Sequence, residues 1–285
     1  MANLKTCFLK DYVDKIDSLN DQLWYYLFAT EELNKRLSDF SDKANENYTT
    51  DLFKNNPYSK KIHIKAGLLP KHQKENKNLT FGAYFATCYE ISSTYLKQAF
   101  DTLKSFNSLT TYIWDKRKEP ERNFNSLLTI ESLPSPKSEI LETFTYLRLR
   151  RNHYTHIIEF PNQRLLDFIR ISCARLNTFW GKPKTTIHLD FTKTLVRDFT
   201  LEETIELIKL VRICVIEIDH HIAGLLDLNS IIKYLVEREF TGKKTRLNTF
   251  TQNQRIEKIV NIGKIEFGLN LNSTQISPFI IKISR

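Results

Sequence analysis

The chain has 285 residues, a formal charge of +9 and 41% hydrophobic residues. That length can bury a substantial core, and that composition excludes an intrinsically disordered chain. With only 7 glycines and 8 prolines, breakers are too scarce for many short strands joined by tight turns, so long helices are expected.

The basic balance favours polyanionic partners, RNA among them. Cys7, Cys88, Cys173 and Cys214 lie far apart and form no Cys-x-x-Cys pair, which argues against a disulfide framework and points to a reducing, cytoplasmic setting. Cys88, Cys173 and Cys214 fall in apolar helical segments, where a thiol acts as a small hydrophobe. Residues 1–14 hold no apolar run suited to a signal peptide. The most apolar long stretch, 205–228, is interrupted by Glu206, Lys209, Arg212, Glu217, Asp219 and Asp227, so no membrane partner is expected.

In chain order, residues 8–40 read as helical. Leu9, Tyr12, Val13 and Ile16 recur at three- and four-residue steps, as does Leu23 with Tyr26 and Leu27. Asn20 and Asp21 are candidate breakers, and Trp24, Tyr25 and Tyr26 read as core. Residues 45–78 read as a lysine- and asparagine-rich loop with a short strand over 62–69. A strong helix follows over 80–106, with Thr80 as N-cap and a stripe from Phe81 through Tyr84, Phe85, Cys88 and Ile91 to Leu96. Residues 105–137 read as a second loop, carrying Lys116, Arg117, Lys118 and Arg122 around Trp114.

A helix is predicted over 138–159, capped by Ser138 and stopped by Pro161. Further helices are predicted over 163–180, 201–226 and 229–240, with Thr200 capping the second of these. Weak alternation over 185–190 suggests a strand, and 279–283 a closing one. Three parts result: N-terminal helices and a lysine-rich loop (1–79), a helical core (80–240) and a basic C-terminal extension (241–285).

One segment carries chemistry. Arg148, Arg150, Arg151, His153 and His156 crowd into one predicted helix, with Asn152 and Tyr154 among them. RNA is cut when its own 2′-hydroxyl attacks the adjacent phosphate. That reaction needs a base, an acid and positive charge on the phosphorane. Histidine titrates near neutrality and serves as base or acid, and arginine grips phosphate with a planar fork. Neither needs a metal or another cofactor. Asn152 lies one turn before His156 and is placed to orient it. Arg151 falls within the stripe of Ile140, Phe144, Leu147, Tyr154 and Ile158, where a charge requires a partner. Glu90, near the stripe of its own helix, is a candidate for that role. His156 lies roughly 140° around the helix from Arg151, so two facing copies would assemble these groups more easily than one. Arg148 and His153 repeat the same spacing, but asparagine follows only Arg151.

The run Arg151-Asn152-x-x-x-His156 resembles the arginine–histidine signature of the HEPN superfamily. The resemblance implies an all-α, HEPN-like helical bundle and a homodimer with a composite site. It also implies metal-independent RNase activity of a toxin or abortive-infection kind, with an antitoxin or other defence protein as a possible partner. On that reading Arg151, Asn152 and His156 are catalytic, with Arg148, Arg150, His153, Tyr154 and Glu90 in support. RNA would be gathered by exposed basic loops at Lys60, Lys61, Lys116, Arg117, Lys118, Lys243, Lys244 and Arg246. A non-catalytic RNA- or protein-binding helical module is the alternative.

Other chemistries are poorly served. Asp219-His220-His221 suggests a metal only weakly, because adjacent helical side chains diverge and no further ligand stands at a telling spacing. Helix-terminal histidines bonded to backbone carbonyls are the simpler reading. No phosphate-cradling glycine loop or Gly-x-Ser-x-Gly elbow is present.

Overall fold

The computed structural model describes residues 4–39, 45–156, 163–181, 187–194, 199–241 and 249–283. Among them are eleven α-helices and no strand, so the fold is all-α as expected. An antiparallel bridge between Tyr48 and Lys65 is the β-type pairing present.

Helix α1 (Leu9–Ser38) buries Tyr12, Ile16, Leu19 and Leu23 along one face. Asn20 and Asp21 do not break it, because that stripe runs straight past them. The stripe also corrects the reading of the aromatics. Trp24 is 57% exposed and Tyr25 73%, since both lie off the buried face. Only Tyr26 turns inward, meeting Phe81 edge to face at 6.2 Å.

Two short helices, α2 (Thr49–Leu52) and α3 (Ser59–Ile62), follow. The strand expected over 62–69 is absent. His63 ends α3 in the left-handed region at φ 32°, and a 3₁₀ turn occupies Ala66–Leu68. Helix α4 (Leu69–Phe106) then starts eleven residues before the predicted Thr80 cap, with Pro70 in its first turn. No glycine or proline interrupts residues 71–80, so the helix passes through Thr80, and through the 79/80 division, without a break.

Helix α5 (Pro120–Ile130) occupies what read as loop and buries Phe124, Leu127 and Leu128. The buried Asn123 amide fastens the preceding turn. Its Oδ1 accepts from the Asp115 amide at 2.8 Å, and its Nδ2 donates to the Asp115 and Lys118 carbonyls.

Helices α6 (Ser138–Thr155), α7 (Gln163–Trp180), α8 (Leu201–Ala223) and α9 (Leu228–Phe240) match the predicted ones to within a few residues. Lys137, not Ser138, is the N-cap of α6, and residues 157–159 lie outside the described set. Thr200 caps α8 as expected, accepting from the Glu203 amide at 3.1 Å. Residues 187–190, the described part of the strand expected over 185–190, are irregular.

Two further helices, α10 (Gln252–Phe267) and α11 (Ser273–Ile283), replace the expected polar tail and closing strand. Ile276 and Ile280, one turn apart, are buried in the core while Pro278 between them is exposed, a pattern that helical spacing satisfies and alternation does not. Pro278 sits inside α11. Gly268 at φ 65° closes α10, a conformation that favours glycine.

Helix α4 is the axis, packing against α1, α5, α6 and α8. Helix α6 lies between α7 and α8, while α9, α10 and α11 pack on one another. One hydrophobic core runs from Tyr12 to Ile280, so the C-terminal helices belong to it. Cys88, Cys173 and Cys214 are buried within that core as hydrophobes, and all four cysteines are free. No helix among the described residues is long and apolar enough to cross a membrane.

Candidate functional site on the basic helix

The three arginines of α6 meet three different fates. Arg148 is buried, and its Nε donates to Glu121 Oε1 at 2.8 Å, with Glu119 3.7 Å from its Nη1. Arg150 is fully buried. Its Nη1 donates to Glu203 Oε1 at 2.6 Å and to the Tyr146 hydroxyl at 3.3 Å. The guanidinium also lies over the rings of Tyr146 and Phe199, 5.8 and 5.3 Å from their centroids. Both arginines neutralise buried carboxylates and join α6 to α5 and to the start of α8. They are structural, as buried charges must be paired to be tolerated.

Arg151 differs. Its side chain is 28% exposed, and Nη2 pairs with Glu90 Oε1 on α4. Glu90 is thus the expected partner, although it sits at the surface with 52% exposure rather than in the core. Asn152 Oδ1 accepts from Arg151 Nη1 at 3.0 Å. The Asn152 side chain therefore steadies the arginine, while its main-chain carbonyl accepts from the His156 amide at 3.1 Å. The expected side-chain link from Asn152 to His156 is not formed. His156 is exposed at the C-cap of α6, whereas His153 is buried.

Tyr154 fixes this end of α6 against α4. Its hydroxyl donates to the Leu79 carbonyl at 2.7 Å, and its ring meets Phe199 edge-on at 5.5 Å. Burial raises its phenol pKa, keeping it a neutral donor. Gly82 makes the approach possible, since a Cβ there would come within 2.1 Å of the Tyr154 ring.

The remaining candidates separate cleanly. Asp219 is buried and accepts from the Thr6 amide at 2.9 Å, from the Thr6 hydroxyl at 2.5 Å and from the Tyr95 hydroxyl. Burial pushes its carboxyl above the usual value, against the pull of those hydrogen bonds. His221 Nε2 donates to the Pro134 carbonyl at 2.9 Å, the backbone role expected of a helix-terminal histidine. Among the described residues no group of three ligand-type side chains converges.

Lys60 and Lys61 stand in the short helix α3 rather than in a loop, and they are exposed, as are Lys116, Arg117 and Lys118. Arg117 folds back on Asp115 at 3.2 Å, and Lys118 lies over the Tyr112 ring. Lys243, Lys244 and Arg246 lie outside the described residues.

Sequence reasoning missed Glu121 and Glu203, the carboxylates that claim Arg148 and Arg150. Each stands in the first turn of a helix, where a carboxylate reads as a dipole partner and its long-range role leaves no local mark. Comparison of the chain with family models, with curated proteins and with solved structures finds no match.

Proposed function

We propose that this chain is a metal-independent endoribonuclease of the HEPN kind, acting through Arg151 and His156. One observation carries the reading. Two arginine–histidine pairs have four residues between them; the Arg148–His153 pair is buried, and the Arg151–His156 pair reaches solvent. The accessible pair is also the one with asparagine after the arginine.

In this reading Arg151 binds the scissile phosphate and stabilises the phosphorane. One histidine takes the 2′-hydroxyl proton, and the oxygen attacks phosphorus. The 5′-oxygen leaves with a proton from a second acid, which yields a 2′,3′-cyclic phosphate. Arg151 is directed toward α4 while His156 stands about five residues, or roughly 7.5 Å, further along the axis. No hydrogen bond joins their side chains among the described residues. Two copies of α6 across a two-fold axis would supply both histidines and both arginines to one site. A role in phage defence or as a toxin, with a cognate antitoxin, follows from the HEPN resemblance.

The test is incubation of purified protein with labelled RNA in EDTA, beside His156→Ala. Cleavage that survives chelation and disappears in the variant is expected, from a species of twice 33.6 kDa. Activity lost to EDTA and restored by a divalent ion, or retained by His156→Ala, overturns the reading. The second reading, a non-catalytic RNA- or protein-binding module, is favoured by the occupation of Arg151 by Glu90 and Asn152. Binding without cleavage in the same assay would select it.

A further inference from the structure

A cleft of about 650 Å³ lies between the first half of α4 and the start of α8. Lys71, Lys74 and Lys77 line it from α4 at three-residue steps. All three are exposed, and none is paired with a carboxylate among the described residues. The opposite wall is Phe199 and Thr200, where the positive end of the α8 dipole opens. Two carboxylates, Glu75 and Glu202, also line the cleft, so the three lysines leave it with a net positive charge. Glu75 lies 3.6 Å from His72, and the Glu202 carboxyl is held below its usual value by its own amide, the Thr200 side chain and, more weakly, the charge of Lys77. The floor is apolar, formed in part by Phe81, with Lys77 5.6 Å over its ring.

This cleft is joined directly to the basic helix. The Phe199 amide donates to Asn78 Oδ1 at 2.8 Å, which ties the two walls together. The Phe199 ring then meets Tyr154, two residues before His156. A strand lying along the lysines would pass over Phe199 toward the end of α6.

We propose that the cleft of Lys71, Lys74 and Lys77 holds the sugar–phosphate backbone of the single-stranded RNA presented to Arg151 and His156. The proposal rests on the ribonuclease reading for the identity of the strand. Lysine suits this task because it meets phosphate as a point charge and needs no base identity. Nothing in the loops of 105–137 is required for it.

The experiment measures binding in a His156→Ala background, so that the strand stays intact. Fluorescence anisotropy with a short labelled single-stranded RNA is read across a salt series. The Lys71→Gln/Lys74→Gln/Lys77→Gln variant is expected to bind about tenfold or more weakly at low salt. The slope of log affinity against log salt should flatten by about 2, from about 0.7 per phosphate contact. Lys10→Gln/Lys15→Gln, which alters two lysines already paired on α1, should leave both quantities unchanged. Matching thermal unfolding curves will show that the glutamine variants are folded. Unchanged affinity and slope in the triple variant, or no RNA binding by the His156→Ala protein, overturns the proposal. RNA bound through these lysines but never cut by the unmodified protein would fail the ribonuclease reading and leave the cleft standing.

Discussion

Arg150 and Glu203 meet at 2.6 Å with both side chains removed from water, binding the middle of α6 to the first turn of α8. Removing one member of a buried ion pair costs about 3–5 kcal/mol. Glu203→Ala is therefore expected to lower the urea midpoint strongly, whereas Arg150→Met/Glu203→Leu should recover most of the loss. Lys193, 3.1 Å from the other Glu203 oxygen, carries the same charge as Arg150 and cannot stand in for the lost carboxylate. A midpoint for Glu203→Ala equal to that of the unmodified protein would refute the structural role.

Gly82→Ala sets helix propensity against packing. Alanine in a helix interior gains about 1 kcal/mol over glycine. Here its methyl would come within 2.1 Å of the Tyr154 ring, and overpacking of that kind costs about 1–3 kcal/mol. The clash should win. Net destabilisation is expected, together with loss of cleavage as the end of α6 shifts. In a Tyr154→Ala background, which removes the ring, the Gly82→Ala change should no longer destabilise and should instead gain the helix propensity of about 1 kcal/mol. A more stable Gly82→Ala protein would show that Tyr154 is free to move away.

Glu90→Gln should change stability little, because the pair with Arg151 is half exposed and such pairs contribute about 0–1 kcal/mol. Its effect on function should be larger. Glu90 holds the guanidinium that the phosphate needs, so the two compete. A roughly two- to fivefold gain in RNA affinity is expected, read by anisotropy at fixed salt and consistent with a penalty of under about 1 kcal/mol. Weaker binding would mean that Glu90 positions Arg151 rather than occupying it.

The long helices were legible because their signals are local. Thr200 before Glu203 and the stripe of α4 declare themselves within a few residues. The start of α4 was not, because residues 71–80 carry lysine and asparagine where an apolar period would appear, and nothing there breaks a helix once Leu69 and Pro70 begin it. Helix α11 was misread because its isoleucines and proline suit a short strand as well. At the site, Arg151, Asn152 and His156 were legible as a pattern, and Glu90 as a partner. The burial of Arg148 and Arg150 was not, because it depends on Glu121 and Glu203, 27 and 53 residues distant.

Asp219 gives a pH signature. Its folded-state pKa lies above the ordinary 3.8, so the folded chain holds this proton more tightly than the unfolded chain. The stability Asp219 lends is full below the unfolded value and is lost as pH rises through the folded one. The stability advantage of the unmodified protein over Asp219→Asn should therefore shrink as pH rises above the ordinary value of 3.8 and through the raised folded one. Urea unfolding of both proteins at several pH values checks the sign, and an advantage that grows with pH would contradict it. Asp219→Ala should cost about 3 kcal/mol, because Thr6 and Tyr95 lose their acceptor.

Helix α4 has 38 residues and spans about 57 Å, yet its first buried side chain is Phe81. The twelve residues before it owe their helical state to continuity with the anchored part, since a segment of that length is marginal in water by itself. Its amides should therefore exchange with solvent in two tiers, quickly from Leu69 to Thr80 and slowly beyond Phe81. Any strand laid along the outer tier would register as slowed deuterium uptake there, whether or not the histidine at the end of α6 reacts. The long helix would then report occupancy of the cleft without chemistry at the motif.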